Sequence, residues 1–111
     1  METKIKKVLV ENNWTKSSEF FVFKHGWGNG YVGVPKDHPW YGKHYDEIEA
    51  YVHGGLTFSE NGLFGEQSNI WFVGFDTSHC SDTKENCPLS FVAEQTDNLY
   101  KQAVDAYRNE K

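Results

Sequence analysis

The polar residues with the clearest chemical potential lie between His53 and Asp82. Asp76, His79 and Asp82 directly follow the apolar run at residues 70–75, with the spacing D-x-x-H-x-x-D. Two carboxylates and an imidazole can bind a divalent metal, or they can pair a general base with an orienting carboxylate. The alternative is that the two aspartates cap turns while His79 lies exposed.

A second candidate is His53, which precedes Gly54 and Gly55. Backbone N–H groups beside such glycines can hold an anion, so the imidazole could face a ligand. The alternative is a half-buried strand histidine beside a β-bulge. If residues 51–59 and 70–76 pair as a hairpin, His53 lies opposite Asp76. The sequence thus predicts a composite site, also a candidate divalent-metal set, made of His53, Asp76, His79 and Asp82.

The two cysteines, Cys80 and Cys87, have the spacing C-x6-C, which matches no strong zinc pattern. A set with His53 and His79 could hold structural zinc, but adjacent side chains such as His79 and Cys80 point apart in an extended segment. A cysteine–histidine nucleophilic pair has no recognisable third group to orient it. Both cysteines are therefore predicted to be incidental, with no disulfide.

Residues 36–49 are predicted to form an ordered loop rich in rings and imidazoles. Tyr and Trp often dominate the energetics of binding surfaces, which favours a ligand pocket or a protein interface. The opposing alternative is that the rings fold back as a small core. The candidate ligand-binding or interface residues of this loop are His38, Trp40, Tyr41 and Tyr45.

The elements that must position these residues follow from periodicity. An apolar stripe at helical spacing predicts a C-terminal helix, with Ser90 as its N-cap. Gly28 and Gly30 are predicted to form a hairpin turn. Although Gly28, Gly30 and Gly33 have the G-x-G-x-x-G spacing, no helix follows them, so dinucleotide binding is not expected. Gly74 indicates close packing within the central strand. The predicted strands are residues 4–10, 19–24 paired with 31–34, 51–59, and 70–75.

We therefore expect an α+β fold: a small, mostly antiparallel twisted sheet of about four to five strands, packed by one C-terminal helix. The 111 residues suit a single domain spanning residues 1–111. A formal net charge of −5 argues against direct nucleic-acid binding, although it permits an acidic surface that occupies a basic groove. The sequence has no apolar run that could span a membrane and no signal-peptide pattern, so a cytoplasmic location is expected.

The segments GYVGVPKDHPWYGKHYD, VHGGLTFS and WFVGFDTSHCSD, followed by the helix, resemble a family of small uncharacterised bacteriophage and prophage proteins. The family often has Cys where this chain has Thr77, and a small residue where it has Cys80. The resemblance implies a viral context and no particular reaction. The polar residues that match the family's motifs are His38, Tyr45, Asp46, His53, Asp76, His79 and Asp82.

Two main functions are predicted. The favoured one is a phage-type accessory protein that binds and inhibits a host defence component without turnover, such as a CRISPR-Cas-like nuclease complex or a nucleotide signal. Its partner would be a host defence protein or an anionic small ligand in the host cytoplasm. The alternative is a small metal-dependent hydrolase that uses the composite site. A third is a structural domain that forms a homodimer through its aromatic loop.

Overall fold

The structure, a computed structural model, describes residues 5–12, 16–17, 22–23, 25–63, 69–78 and 82–109. Four strands form one antiparallel sheet in the order β1-β4-β6-β5, and β2 and β3 form a separate two-stranded sheet. A single long helix follows the strands, so the predicted α+β class is confirmed. The elements are β1 (Lys6–Glu11), β2 (Lys16–Ser17), β3 (Val22–Phe23), β4 (Gly28–Val34), a 3-10 turn (Tyr45–Glu47), β5 (Phe58–Asn61), β6 (Trp71–Phe75) and α1 (Leu89–Asn109).

Two reciprocal glycine–aromatic pairs join the central strands β4 and β6. Tyr31 lies opposite Gly74, and Phe72 lies opposite Gly33. A side chain at Gly74 would meet the Tyr31 ring, and one at Gly33 would lie 2.6 Å from the Phe72 ring. Each ring therefore covers a glycine of the neighbouring strand, which aligns the two strands. The close packing predicted at Gly74 is confirmed.

Helix α1 packs its apolar stripe against one face of the sheet. Val92, Thr96, Leu99 and Ala103 are buried on this stripe, which confirms the predicted helical face. The helix begins at Leu89, so Ser90 lies within its first turn and is not the N-cap. No helix among the described residues has the length and apolar character that crossing a membrane requires.

The start of the helix is held by the residue before it. The Pro88 carbonyl accepts hydrogen bonds from the N–H groups of Phe91 and Val92, at 3.0 and 3.1 Å. Thr96 bonds back to the Val92 carbonyl at 2.7 Å, and its hydroxyl occupies the space where Gly30 would otherwise carry a side chain. The glycine thus lets α1 lie close to β4.

Two predictions about β4 are wrong. The strand at residues 31–34 does not pair with residues 19–24, because β4 already has β1 and β6 as its two neighbours. Within 19–24, the described part is β3, which pairs with β2. The predicted turn at Gly28 and Gly30 is also wrong, since both glycines lie inside β4, where β1, Thr96 and Phe75 approach too closely for a side chain.

Candidate functional site

Residues 51–53 do not form the predicted strand but lie along α1, held by side-chain amides. The Gln102 amide accepts from the Tyr51 N–H and donates to the Tyr51 carbonyl, both at 2.8 Å. Asn98 donates to the same carbonyl at 3.1 Å, and Gln95 accepts from the His53 N–H at 2.9 Å. The three amides lie on one helix face at intervals of three and four residues. They fix the backbone of His53 near the start of α1.

A tight turn at residues 83–87 positions the second part of the site. The Asn86 side chain accepts from the Thr83 N–H at 2.8 Å, and Thr83 Oγ1 accepts from the Asn86 N–H at 3.2 Å. The Cys87 N–H donates to the Thr83 carbonyl, while the Cys87 carbonyl accepts from the Trp27 N–H at 2.7 Å. These bonds anchor Cys87 between the turn and the residue preceding β4.

The two segments bring together His53, Asp82 and Cys87. His53 Nε2 lies 2.8 Å from Asp82 Oδ1 and 3.9 Å from Cys87 Sγ, and the thiol lies 3.6 Å from the same carboxylate oxygen. The Asp82 side chain is 5 % exposed and Cys87 is 2 % exposed, whereas the His53 side chain is 27 % exposed. The Phe91 and His53 rings are nearly perpendicular, with centroids 5.1 Å apart. The cluster is therefore reached from the imidazole side.

These three donor atoms lie close enough together to be considered as ligands of one metal ion. Among the described residues, they form a group of His, Asp and Cys donors within 4.8 Å of one another. Their separations define a triangle whose centre lies about 2.0 Å from each atom, close to the 2.0–2.3 Å bonds that zinc makes to nitrogen, oxygen and sulfur. A tetrahedral zinc ion keeps its ligand atoms about 3.3–3.6 Å apart, so the 2.8 Å contact between His53 and Asp82 would have to open by about half an ångström to admit one.

The same geometry disfavours a cysteine nucleophile. Burial and the neighbouring Asp82 charge raise the pKa of the Cys87 thiol, whereas an activated nucleophile needs a lowered pKa. The thiol donates to Asp82 and faces the same imidazole nitrogen that binds the carboxylate. The imidazole therefore does not stand between the thiol and the carboxylate, as it must to act as a base oriented by that acid.

The predicted pairing of His53 with Asp76 rested on a strand register that is wrong. Phe58 lies opposite Gly74 in the β5–β6 pair, three positions away from the predicted register. The pairing also ends near Thr57, whose N–H donates to the Gly74 carbonyl, so His53 is not part of the sheet. The turn and helix, rather than β6, supply the partners of His53.

Asp76 lies apart from the group of three ligand atoms. Its carboxylate accepts from the Thr57 hydroxyl at 3.2 Å and from the Ser78 N–H at 3.1 Å. The second of these bonds is the turn-capping role that was the alternative for this aspartate. His79 and Cys80 lie outside the described residues.

Cys87, which the sequence predicted to be incidental, is one of the three members of the cluster. Ligand spacing along the chain could not reveal it, since His53 is 34 residues away. One available signal is its place directly before Pro88, because a proline restricts the backbone conformation of the residue before it. The sequence pattern therefore indicates His53 and Asp82 but not Cys87.

The aromatic loop divides into a buried part and a surface part. His38 and Trp40 are buried, and their rings pack edge to face at 5.1 Å. His38 also stacks on Tyr107 of α1, with centroids 5.6 Å apart. These residues form the small core that was the alternative to a binding surface.

Tyr41 and Tyr45 are half-buried and remain partly at the surface. The Tyr41 ring lies 6.0 Å from the Trp71 ring, and the Tyr45 N–H donates to Ser59 Oγ at 3.0 Å. The loop is thus fixed to β5 and β6, and these two tyrosines are its aromatic side chains that a partner could still contact.

Comparisons with known proteins do not assign this chain to a family. The chain matches no protein-family model, no curated protein and no solved structure. The resemblance to bacteriophage proteins therefore stays a prediction from the sequence.

Proposed function

We propose that this protein binds a zinc-class divalent metal through His53, Asp82 and Cys87, and uses the metal to bind and polarise an anionic ligand. The observation that carries the proposal is the convergence of three unlike donor atoms around a point about 2.0 Å from each. Two of the three side chains are buried, so most of the site is already shielded from water.

The donor types favour zinc over calcium or magnesium. Thiolate and imidazole are ligands for zinc and its neighbours, whereas calcium and magnesium prefer oxygen donors. Binding requires loss of the Cys87 proton and a neutral His53 imidazole that presents an unprotonated Nε2 to the metal. Because the thiol pKa is raised, metal affinity should increase with pH.

Three protein ligands leave one position of a tetrahedral ion for water or a ligand, as in catalytic zinc sites. A metal at such a position lowers the pKa of bound water or polarises a phosphoryl oxygen. The half-buried His53 gives an approach for a small ligand. This retains the predicted hydrolase chemistry but replaces Asp76 with Cys87 in the ligand set, with His79 as a further candidate.

Metal content and cobalt spectroscopy test the site directly. We expect about one zinc per chain after equilibration and removal of free metal, and a thiolate-to-cobalt charge-transfer band in the cobalt form. Cys87→Ser should abolish that band, and Asp82→Asn should weaken binding. Asp105→Asn, which makes the same change at an exposed position on α1, is the matched control.

Several outcomes would contradict the proposal. One is a chain that takes up no zinc, and another is a Cys87→Ser variant that keeps the cobalt band. Retention of metal by the wild type but loss in His79→Ala would add a fourth ligand and make the site closed and structural. In that case the metal site stands and its ligand-binding role fails.

Turnover distinguishes a hydrolase from a binding protein. The zinc-loaded chain can be assayed with bis(p-nitrophenyl) phosphate, and binding of inorganic phosphate can be measured by calorimetry. Hydrolysis that is lost in Cys87→Ser supports the enzyme, whereas phosphate binding without hydrolysis supports a ligand-sequestering protein. Neither activity in a zinc-loaded chain would refute the functional part of the proposal.

The inhibitor of host defence predicted from the sequence remains a separate proposal. Its support is the net charge of −5 and the partly exposed Tyr41 and Tyr45 in the aromatic loop. Expression of the protein in bacteria that carry a defined CRISPR-Cas system should raise phage survival. Unchanged survival, together with no defence component recovered with the tagged protein, would count against it.

A further inference from the structure

Strand β1 forms an edge of the four-stranded sheet, with β4 on its inner side. Among the described residues, no strand pairs with its outer side. The strand contains no proline, and Leu9 is among the large apolar residues that are exposed in the described part of the chain, at 38 %. An extended edge of this kind can pair with another strand.

The hydrogen-bond pattern shows which residues face outward. The Asn12 N–H donates to the Trp27 carbonyl at 2.9 Å, continuing the β1–β4 register by one pair. Hydrogen-bonded pairs alternate along an antiparallel ladder, so the even-numbered residues of β1 bond to β4. The backbone N–H and C=O groups of Lys7, Leu9 and Glu11 therefore point to the outer side.

We propose that two copies of this chain form a dimer by antiparallel pairing of β1 with β1 about a two-fold axis at Leu9. In this register, Leu9 lies opposite Leu9 of the second copy, and Lys7 lies opposite Glu11 of the second copy. All three outward-facing residues then exchange backbone hydrogen bonds. The two sheets join into one, with both helices on the same side.

Charge selects this register over its neighbours. An axis at Val8 would place Lys7 opposite Leu9, and an axis at Val10 would place Leu9 opposite Glu11, so a charge would face an apolar side chain. An axis at Lys7 would oppose two lysines, which is destabilising. Only the axis at Leu9 gives two Lys–Glu pairs and one apolar pair.

Lysine on an edge strand often prevents pairing, but Lys7 is turned towards the helix. Its Nζ lies 2.7 Å from Asp97 Oδ1 and 5.0 Å from the centre of the Tyr100 ring. The side chain of Glu11 lies on the same face, since Lys7 and Glu11 are both odd-numbered. Glu11 of the second copy would thus arrive beside an ammonium group that already lies in place.

Complementary charge variants test the dimer without relying on loss of folding. In the Glu11→Lys dimer, a lysine at position 7 faces a lysine at position 11 at two symmetric places. In the Lys7→Glu dimer, two glutamates face each other at the same two places. Each variant alone should dissociate about thirtyfold more readily than the wild type. Mixed together, they restore both Lys–Glu pairs, so a heterodimer should form. Glu94→Lys, the same change at an exposed position on α1, is the matched control.

Sedimentation velocity and native mass spectrometry of the full chain measure these states, and circular dichroism confirms that each variant is folded. We expect a wild-type dimer, an unchanged Glu94→Lys dimer, two monomeric variants and a heterodimer in the mixture. A wild type that stays monomeric at high concentration would overturn the proposal. So would a Glu11→Lys dimer of unchanged affinity, or a mixture of folded variants that gives no heterodimer.

Discussion

Acid should destabilise this protein through His38, a buried histidine whose ring is fixed in one neutral form. The Trp40 N–H donates to Nδ1 at 2.9 Å, so the proton of the ring lies on Nε2, which donates to the Ala103 carbonyl at 2.8 Å. Protonation of Nδ1 would break the first bond and place a charge in the core. Burial accordingly lowers the pKa of His38, outweighing the opposing effects of the Ala103 bond and the Asp37 charge.

The sign and size of the effect follow from proton linkage. Because the folded pKa lies below the ordinary 6.5, the unfolded chain binds the proton more tightly. The titration of His38 therefore leaves stability unchanged well above pH 6.5, and its protonation in the unfolded chain lowers the free energy of unfolding as the pH falls below that value. The limiting slope for one proton is about 1.4 kcal/mol per pH unit, or about 5 °C in Tm for a domain of this size.

A His38→Gln variant isolates this contribution. Glutamine can still donate to the Ala103 carbonyl but leaves the Trp40 N–H unpaired, which should cost about 1–3 kcal/mol at neutral pH. Urea unfolding of both proteins between about pH 7.5 and 5 should show the wild type losing stability faster than the variant. His44→Gln, at an exposed histidine, should follow the wild type. Parallel pH profiles for wild type and His38→Gln would refute the reasoning.

Three further changes have defined outcomes. Gly74→Ala should lower the free energy of unfolding by about 1–3 kcal/mol, measured by urea unfolding, because the methyl group would meet the Tyr31 ring. Gln95→Ala should weaken zinc binding by up to about tenfold in calorimetry, since it removes the bond that holds the His53 backbone. Alkylation of Cys87 in the folded, metal-free protein should be much slower than in the unfolded chain, because its thiol is buried with a raised pKa.

The parts of the fold that could be predicted are those with a strong local pattern. The apolar run that forms β6 and the apolar stripe of α1 can be recognised from the local sequence, because burial on one or both sides of an element requires apolar residues at a regular spacing. Strand pairing does not contain such evidence. The aromatic segment 19–24 lies closest to residues 31–34 along the chain, yet residues 31–34 pair with β1 and β6. The sequence alone does not distinguish between these candidate partners.

Glycine caused another error in the fold. Gly28 and Gly30 can indicate either a turn or a close approach of two elements, and sequence alone does not separate these meanings. In β4 they serve the second purpose, since the β1 backbone, Thr96 and Phe75 occupy the positions where side chains would lie. The strand therefore begins three residues earlier than the apolar pattern indicated.

The candidate site shows the same division between local and long-range information. His53 could be selected by its place before Gly54 and Gly55, and Asp82 by the D-x-x-H-x-x-D spacing, because both are local patterns. Cys87 could not be selected by spacing, since the spacing of metal ligands is informative only when one loop supplies them. Here Asp82 and Cys87 lie 29 and 34 residues after His53 along the chain.

The manner in which His53 is held bears on what the cluster can do. Its segment is bound to α1 by side-chain amides and not by a strand ladder, so its position depends on a few bonds worth about 1 kcal/mol each. Asp82 and Cys87 instead lie at the two ends of a turn. The Cys87 carbonyl accepts a hydrogen bond from Trp27, the residue before β4, which anchors this turn to the sheet. A metal bound to all three would tie the weakly held segment to the firmly held one. The half-buried imidazole is therefore the ligand most able to adjust, and the approach to the metal lies on its side.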